Sequence, residues 1–181
     1  MKRRALLAAA VLGTALLHGG VQAQSGNTRP LRLVVPFAAG TSTDIVGRVM
    51  AEALGRQLSQ SVIVENKPGA GGAIGSEMVA RAGADGQTLL LGTVGTHAIN
   101  ATLYKRLPYQ PLRDFVPLGF IGATPTLLVV PAAAPWKGVA DLRQASGKTV
   151  SFASAGNGTS GHLAGETLNL RLGRDFVHVP Y

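Results

Sequence analysis

The chain has 181 residues, of which 46% are hydrophobic but only 5% aromatic, so its core must be built mostly from Ala, Val and Leu. It contains no cysteine, which excludes disulfides, thiolate metal sites and a cysteine nucleophile. The formal net charge is +8, but the basic residues are scattered and do not alternate with aromatic ones, so nucleic-acid binding is not indicated.

The first segment of the chain has the pattern of a secretory signal peptide. Basic residues at 2–4 precede an apolar run at 5–17, and Val21-Gln22-Ala23 forms a small-residue cleavage site. The run is shorter than the roughly 20 residues that a membrane-spanning helix needs, although an uncleaved anchor is the alternative interpretation. We therefore predict that residues 1–23 are a signal peptide. The mature chain would begin at Gln24 and keep 14 basic and 9 acidic residues, a net charge of +5.

Strands and helices alternate along the predicted mature chain. The apolar runs predict strands at 31–36, 62–64, 88–91, 115–121, 127–130, 149–153 and 176–179. Amphipathic spacing and capping residues predict helices at 43–58, 73–82, 136–145 and 160–172. This alternation is typical of α/β proteins in which helices cover parallel sheets. A break at 123–126 marks the predicted crossing from a first lobe, 24–124, to a second lobe, 125–181.

Three of the predicted strands end in loops of Gly, Ala, Ser and Thr that open a helix or a helix-like segment. These loops cover 37–44, 92–97 and 154–162. Helix N-termini at the carboxyl ends of parallel strands present backbone N–H groups and a partial positive charge, which small side chains leave accessible. We predict that the loops bind a carboxylate or a phosphate. Ordinary αβ turns, which also favour small residues, are the alternative.

Three polar side chains near these loops each admit two interpretations. His97 and His162 either contact the bound anion or make structural hydrogen bonds. Asp44 lies in the first turn of a predicted helix and would repel an anion. Asp44 therefore suits either a ligand amine or a role in holding the loop through backbone N–H groups.

Motifs for other chemistry are incomplete. The glycines of the stretch PGAGGAIG do not have dinucleotide-binding spacing, and the strand that follows ends without an acidic residue. The stretch GTSGH at 158–162 departs from the Gly-x-Ser-x-Gly of serine hydrolases. His162 and Glu166 could bind a metal together with Asp175 or His178, but a hydrogen-bonded pair on one helix is the simpler interpretation. We therefore predict no cofactor, no metal and no catalytic group.

Several stretches resemble the substrate-binding receptors of tripartite tricarboxylate transporters, the Bug family. They include RLVVPFAAGTSTDIVGR, VIVENKPGAGGAIGSEMVA and SFASAGNGTSGHLAGE, and the resemblance runs from about Arg32 to Tyr181. It implies a type II periplasmic binding fold that is monomeric and closes two lobes on a small carboxylate. It also implies delivery of the ligand to membrane permease subunits, with no catalysis.

The resemblance also implies which residues contact the ligand, because the family grips it with the loops that follow the strands. Carried onto this chain, these residues are Phe37, Ala39, Gly40, Thr41, Thr43, Asp44, Thr93, Gly95, Thr96, His97, Ser154, Ala155, Gly156, Asn157, Gly158, Thr159 and His162.

Two features depart from the family pattern. Thr41 stands where the family usually has a second glycine, and threonine is a poor substitute if that position needs a positive φ or a close backbone approach. The family also continues past the stretch VHVPY, so we expect a chain truncated in both lobes, with marginal stability and weak binding. A non-binding fragment is therefore a second hypothesis, and an exported α/β hydrolase is a third.

Overall fold

The computed structural model describes residues 29–145 and 150–181. The predicted signal peptide lies outside these residues, as does the first residue of the strand predicted at 149–153. Within the described ranges, no helix combines the length and the apolar character needed to cross a membrane.

A three-stranded parallel sheet forms the first half of the structure. Its strands are β1 (Leu31–Val35), β2 (Val62–Asn66) and β3 (Thr88–Leu90), in the order β2-β1-β3. Parallel neighbours need a crossover connection, and helices α1 (Ser42–Leu58) and α2 (Ala73–Ala80) supply the two crossovers. These strands and helices confirm the predicted order of elements to within a few residues.

The core of this half lies between β1 and α1. Leu33 and Val35 of the central strand pack with Ala51 and Leu91, and all four are buried. Gly47 on the inner face of α1 permits a close approach, because an added Cβ would lie 2.8 Å from Cγ2 of Val35. A central strand that is apolar at nearly every position is what a parallel sheet requires.

A π-helical turn (Gly95–Ile99) and a short helix, α3 (Asn100–Leu103), follow β3. The strands predicted at 115–121 and 127–130 are wrong: the structure has no strand in either segment. Their apolar side chains are mostly exposed, with Phe120 at 86% and Val129 at 79%. A strand needs a hydrogen-bonded neighbour, and within the described residues neither segment has one, so the β propensity of the sequence is not realised.

A second parallel sheet follows the short helix α4 (Val139–Arg143). It pairs β4 (Ser151–Ser154) with β5 (Val177–Pro180), and α5 (Ser160–Leu172) is the crossover between them. Helix α4 is shorter than the predicted 136–145, because the carboxylate of Asp141 accepts the N–H groups of Lys137 and Gly138 and fixes its start there. The α/β class with parallel sheets is confirmed.

The core predicts a large difference between two leucine substitutions. Leu33→Ala removes a side chain that is 4% exposed, so it should lower the free energy of unfolding by about 2–5 kcal/mol. Leu112→Ala removes one that is 98% exposed and should change it by less than about 0.5 kcal/mol. Urea unfolding followed by circular dichroism would measure both, and equal effects would contradict the assignment of the core.

Candidate ligand-binding site

The loops that follow β1, β2 and β3 meet at one edge of the first sheet, since the strands are parallel. Gly72, in the loop after β2, joins the other two loops. A Cβ added to it would lie 2.6 Å from Cγ2 of Thr96 and 3.3 Å from Cζ of Phe37. The predicted loops 37–44 and 92–97 are therefore brought together through a loop that the sequence analysis does not assign to the site.

The loop after β4 packs against the same edge. Gly158 lies against Asn100, and a Cβ added to Gly158 would be 2.5 Å from the Oδ1 atom of Asn100. A Cβ added to Gly95 would lie 3.0 Å from the carbonyl oxygen of Gly158, and Gly71 lies against the carbonyl oxygen of Asn157. We call these contacts of Gly71, Gly95 and Asn100 with Asn157 and Gly158 the loop junction.

Asp44 holds the loop after β1 in place. Asp44 is 3% exposed, and its carboxylate accepts hydrogen bonds from the N–H of Gly40 at 2.8 Å, from Nε of Arg48 at 3.1 Å and from Nδ2 of Asn66 at 2.9 Å. The bond from Gly40, followed by those from Arg48 and Asn66, lowers the pKa of Asp44 to about 2. Of the two roles that the sequence leaves open for Asp44, the structure therefore shows the loop-holding one.

Thr41 fits its position without backbone strain. Its φ is −71°, and its hydroxyl caps α1 by accepting the N–H of Asp44 and by donating to the carbonyl of Ala38. The positive φ of this loop falls at Gly40, where it is +83°. The structure therefore does not require a positive φ at Thr41, which was one of the two conditions that would make threonine a poor substitute for glycine.

The loop after β3 is closed by its own threonines. Oγ1 of Thr96 accepts the N–H of Thr93 at 2.9 Å, and Thr96 is fully buried. Nδ1 of His97 lies 2.8 Å from this hydroxyl oxygen, and the imidazole packs edge-on against Phe115 with centroids 4.9 Å apart. Burial lowers the pKa of His97 and favours its neutral form. His97 thus makes the structural hydrogen bond that was one of its two interpretations.

The loop after β4 is closed in a similar way. Thr159 caps α5 by accepting the N–H of His162, and its hydroxyl donates to the carbonyl of Gly156 at 2.7 Å. Ser154 also contacts the carbonyl of Gly156, at 3.2 Å. The backbone φ of Gly156 is +115°, which favours glycine at this turn.

His162 also has structural partners. Its Nδ1 accepts the N–H of Gly158 at 3.3 Å, and its ring stacks on His178 with centroids 4.2 Å apart. Burial, together with the charge of His162, lowers the pKa of His178, and Glu166 partly offsets this. In the part of the chain that the structure describes, no three His, Cys, Asp or Glu residues are placed to hold a metal ion.

The other predicted ligand residues differ in exposure. Ala39, Ala155 and Asn157 are exposed, whereas Thr43 is half-buried. An open groove of about 430 Å³ lies elsewhere, between α1 and β2, and none of the predicted ligand residues lines it.

Four residues at this edge were not predicted from the sequence, because their role depends on contacts with distant residues: Asn66, Gly71, Gly72 and Asn100. The partial signals were the amide side chain two residues after the strand predicted at 62–64 for Asn66, and the glycine-rich turn for Gly71 and Gly72.

Small-residue loops that converge at the carboxyl edge of parallel strands are the place where α/β proteins bind their ligands. Comparison with known proteins gives the family. Residues 46–181 match a protein-family model, the tripartite tricarboxylate transporter family receptor. The chain belongs to this family, whose members are receptors and not enzymes, so the hydrolase hypothesis is set aside.

Two curated relatives illustrate the similarity. A UPF0065 protein from the tcbD-tcbE intergenic region of Pseudomonas sp. strain P51 is 37% identical over 99% of this chain and 54% of its own length. Protein BugT of Bordetella pertussis is 35% identical over 94% of this chain and 53% of its own length. The chain thus spans about half the length of the curated relatives it matches.

Two solved structures show the same backbone arrangement. R. palustris Rpa4515 with adipate has a TM-score of 0.81 and 35% identity, covering 86% of this chain and 53% of that one. MatC from Rhodopseudomonas palustris with bound malate has a TM-score of 0.80 and 33% identity, covering 86% of this chain and 54% of that one.

The hydrogen bonds of Asp44 predict a specific acid sensitivity. Its folded-state pKa of about 2 lies below the ordinary 3.8, so its ionised form stabilises the fold fully above pH 3.8. This stabilisation is lost as the pH falls toward 2. Asp44→Asn should therefore be less stable than the wild type at neutral pH and should lose less stability over this acid range.

Urea unfolding at a series of pH values would measure the effect. Asp175→Asn, at an exposed position after α5, controls for the loss of one negative charge. Parallel stability curves for the wild type and Asp44→Asn would contradict the loop-holding role.

Proposed function

We propose that this chain is part of a periplasmic receptor that captures a small carboxylate for a tripartite transporter and passes it to membrane permease subunits. The observation that carries the proposal is the loop junction, where the loop after β4 meets the loops of the first sheet. Membership of the receptor family supports it.

The backbone at this edge is suited to an anion. The first N–H groups of a helix have no intrahelical partner, and in α1 and α5 these belong to Ser42 and Thr43 and to Ser160 and Gly161. The helix dipole adds a partial positive charge at each of these ends. We favour a carboxylate over a phosphate because the two solved relatives described above are complexes with adipate and with malate.

In this proposal, residues 24–124 and 125–181 contribute to two lobes, and the loops that carry the seventeen predicted residues line the cleft between them. Asp44, Thr96 and Thr159 would shape the loops from behind, while Ala39 and Asn157 would face the ligand. The predicted signal peptide at 1–23 would direct the chain to the periplasm, and a solved relative that is 38% identical is the periplasmic binding protein BugD.

The non-binding fragment is a second candidate, and one observation favours it. The segment 115–130 exposes Val116, Phe120, Leu127 and Val129, each by 75% or more. Contiguous exposed apolar surface of this kind promotes association.

Thermal melts with carboxylates would separate the two candidates. A ligand present at about 100 times its Kd should stabilise the folded chain by about 2.7 kcal/mol, so adipate, malate or citrate should raise a cooperative transition. The experiment uses the chain from Gln24, followed by circular dichroism. A transition that no di- or tricarboxylate shifts would favour the non-binding candidate.

A matched pair of substitutions would locate the site. Ala39→Asp places a negative charge on the exposed tip of the loop after β1, where it would repel a bound carboxylate. It should abolish the ligand-dependent shift while leaving the unliganded melting temperature nearly unchanged. Ala84→Asp makes the same change at an exposed turn away from the loops and should keep the shift. Retention of the shift in both variants would place the ligand elsewhere.

A further inference from the structure

Asn100 lies between two glycines at the loop junction. Its Nδ2 donates to the carbonyl of Gly71 at 3.0 Å, and its Oδ1 faces Gly158. Both glycines have positive φ, +60° at Gly71 and +81° at Gly158. The side chain of Asn100 therefore connects a loop of the first sheet with the loop after β4.

The two polar atoms of Asn100 are in opposite situations. Nδ2 is paired, whereas Oδ1 is the buried side-chain nitrogen or oxygen atom without a hydrogen-bond partner in the described residues. Asn100 is fully buried, so water does not reach this oxygen while the loops touch. A buried acceptor without a donor disfavours the state that buries it.

Separation of the loops would change this balance. If the loop after β4 moved away from Asn100, Oδ1 would be exposed to water, which can donate to it. The bond from Nδ2 to Gly71 lies within the loops of the first sheet, and it would not be affected by the movement.

We propose that Asn100 is a positioning residue that sets the balance between closed and open arrangements of the two sheets. Its fit against Gly158 defines how closely the loops approach. Its unpartnered Oδ1 keeps the closed arrangement from dominating until a ligand adds contacts across the cleft. The part that assigns closure to a ligand rests on the proposed function, whereas the contact itself does not.

The absence of cysteine makes the movement measurable in the intact chain. Gln57→Cys on α1 and Leu170→Cys on α5 introduce two exposed cysteines for spin labelling. One label then lies on a helix that packs with the first sheet, and the other on the helix of the second sheet. Double electron–electron resonance then gives the distance distribution between the sheets, with and without adipate or malate.

Asn100→Asp is the first test, in the doubly labelled background. It replaces the Nδ2 donor to the carbonyl of Gly71 with an oxygen, and it places a negative charge against Gly71 and Gly158. The population of short distances between the two labels should therefore fall severalfold. Thr102→Asp adds the same charge at an exposed position of α3, outside the loop junction, and should leave the distribution close to that of the unmodified chain. Equal distributions for Asn100→Asp and the unmodified chain would overturn the proposal.

A double-mutant cycle keeps the proposal testable if Asn100→Asp does not fold. Gly158→Ala places a methyl group 2.5 Å from Oδ1 of Asn100 and should shift the distribution to longer distances. The double variant, Gly158→Ala with Asn100→Ala, lacks that oxygen and should recover part of the short-distance population. Additive effects of the two substitutions would show that the contact does not set the distance.

The measurements with adipate and malate separate the proposed carboxylate function from the proposed role of Asn100. If adipate and malate leave the unmodified chain unchanged but Asn100→Asp still opens it, the role of Asn100 stands and the proposed carboxylate function fails. If the ligands close the unmodified chain, but Asn100→Asp and the unmodified chain have the same distribution without ligand, the carboxylate function stands and the role of Asn100 is overturned.

Discussion

The buried carboxylate of Asp44 is the interaction on which the arrangement of the first sheet's edge depends. It accepts hydrogen bonds from Gly40 in the loop after β1, from Arg48 one turn further along α1 and from Asn66 at the end of β2. Asn66 in turn donates to the carbonyl of Phe37. One side chain thus fixes the start of a helix relative to two neighbouring strands, and the loop tip at Gly40 can remain exposed without losing its conformation.

The second constraint is the lack of side chains where loops cross. Gly72 lies against Thr96 and Phe37, and Gly158 lies against Asn100, at distances that leave no room for a Cβ. The small residues of these loops therefore serve two purposes. They leave backbone N–H groups accessible at helix N-termini, and they allow loops from different strands to touch.

The sequence was sufficient for the elements whose signals are local. The apolar run of β1 and the spacing of α1 and α5 predict their places closely, because each depends on residues a few positions apart. The strands predicted at 115–121 and 127–130 failed because pairing depends on a distant neighbour that composition does not reveal. Asn66 and Asn100 were missed for the same reason: the amide of Asn66 bonds to residues 22 and 29 positions away, and that of Asn100 to one 29 positions away.

The separation between residues that hold the loops and residues that form their tips has a consequence for how such a receptor diversifies. The caps and the buried carboxylate keep the backbone in place through hydrogen bonds made behind the loops. The side chains at exposed positions of the tips, such as Ala39 and Asn157, contribute little to holding the backbone in place. New side chains at the tips can therefore be sampled with little loss of folding stability, so under the proposed function one scaffold could acquire different ligand preferences through a small number of surface substitutions.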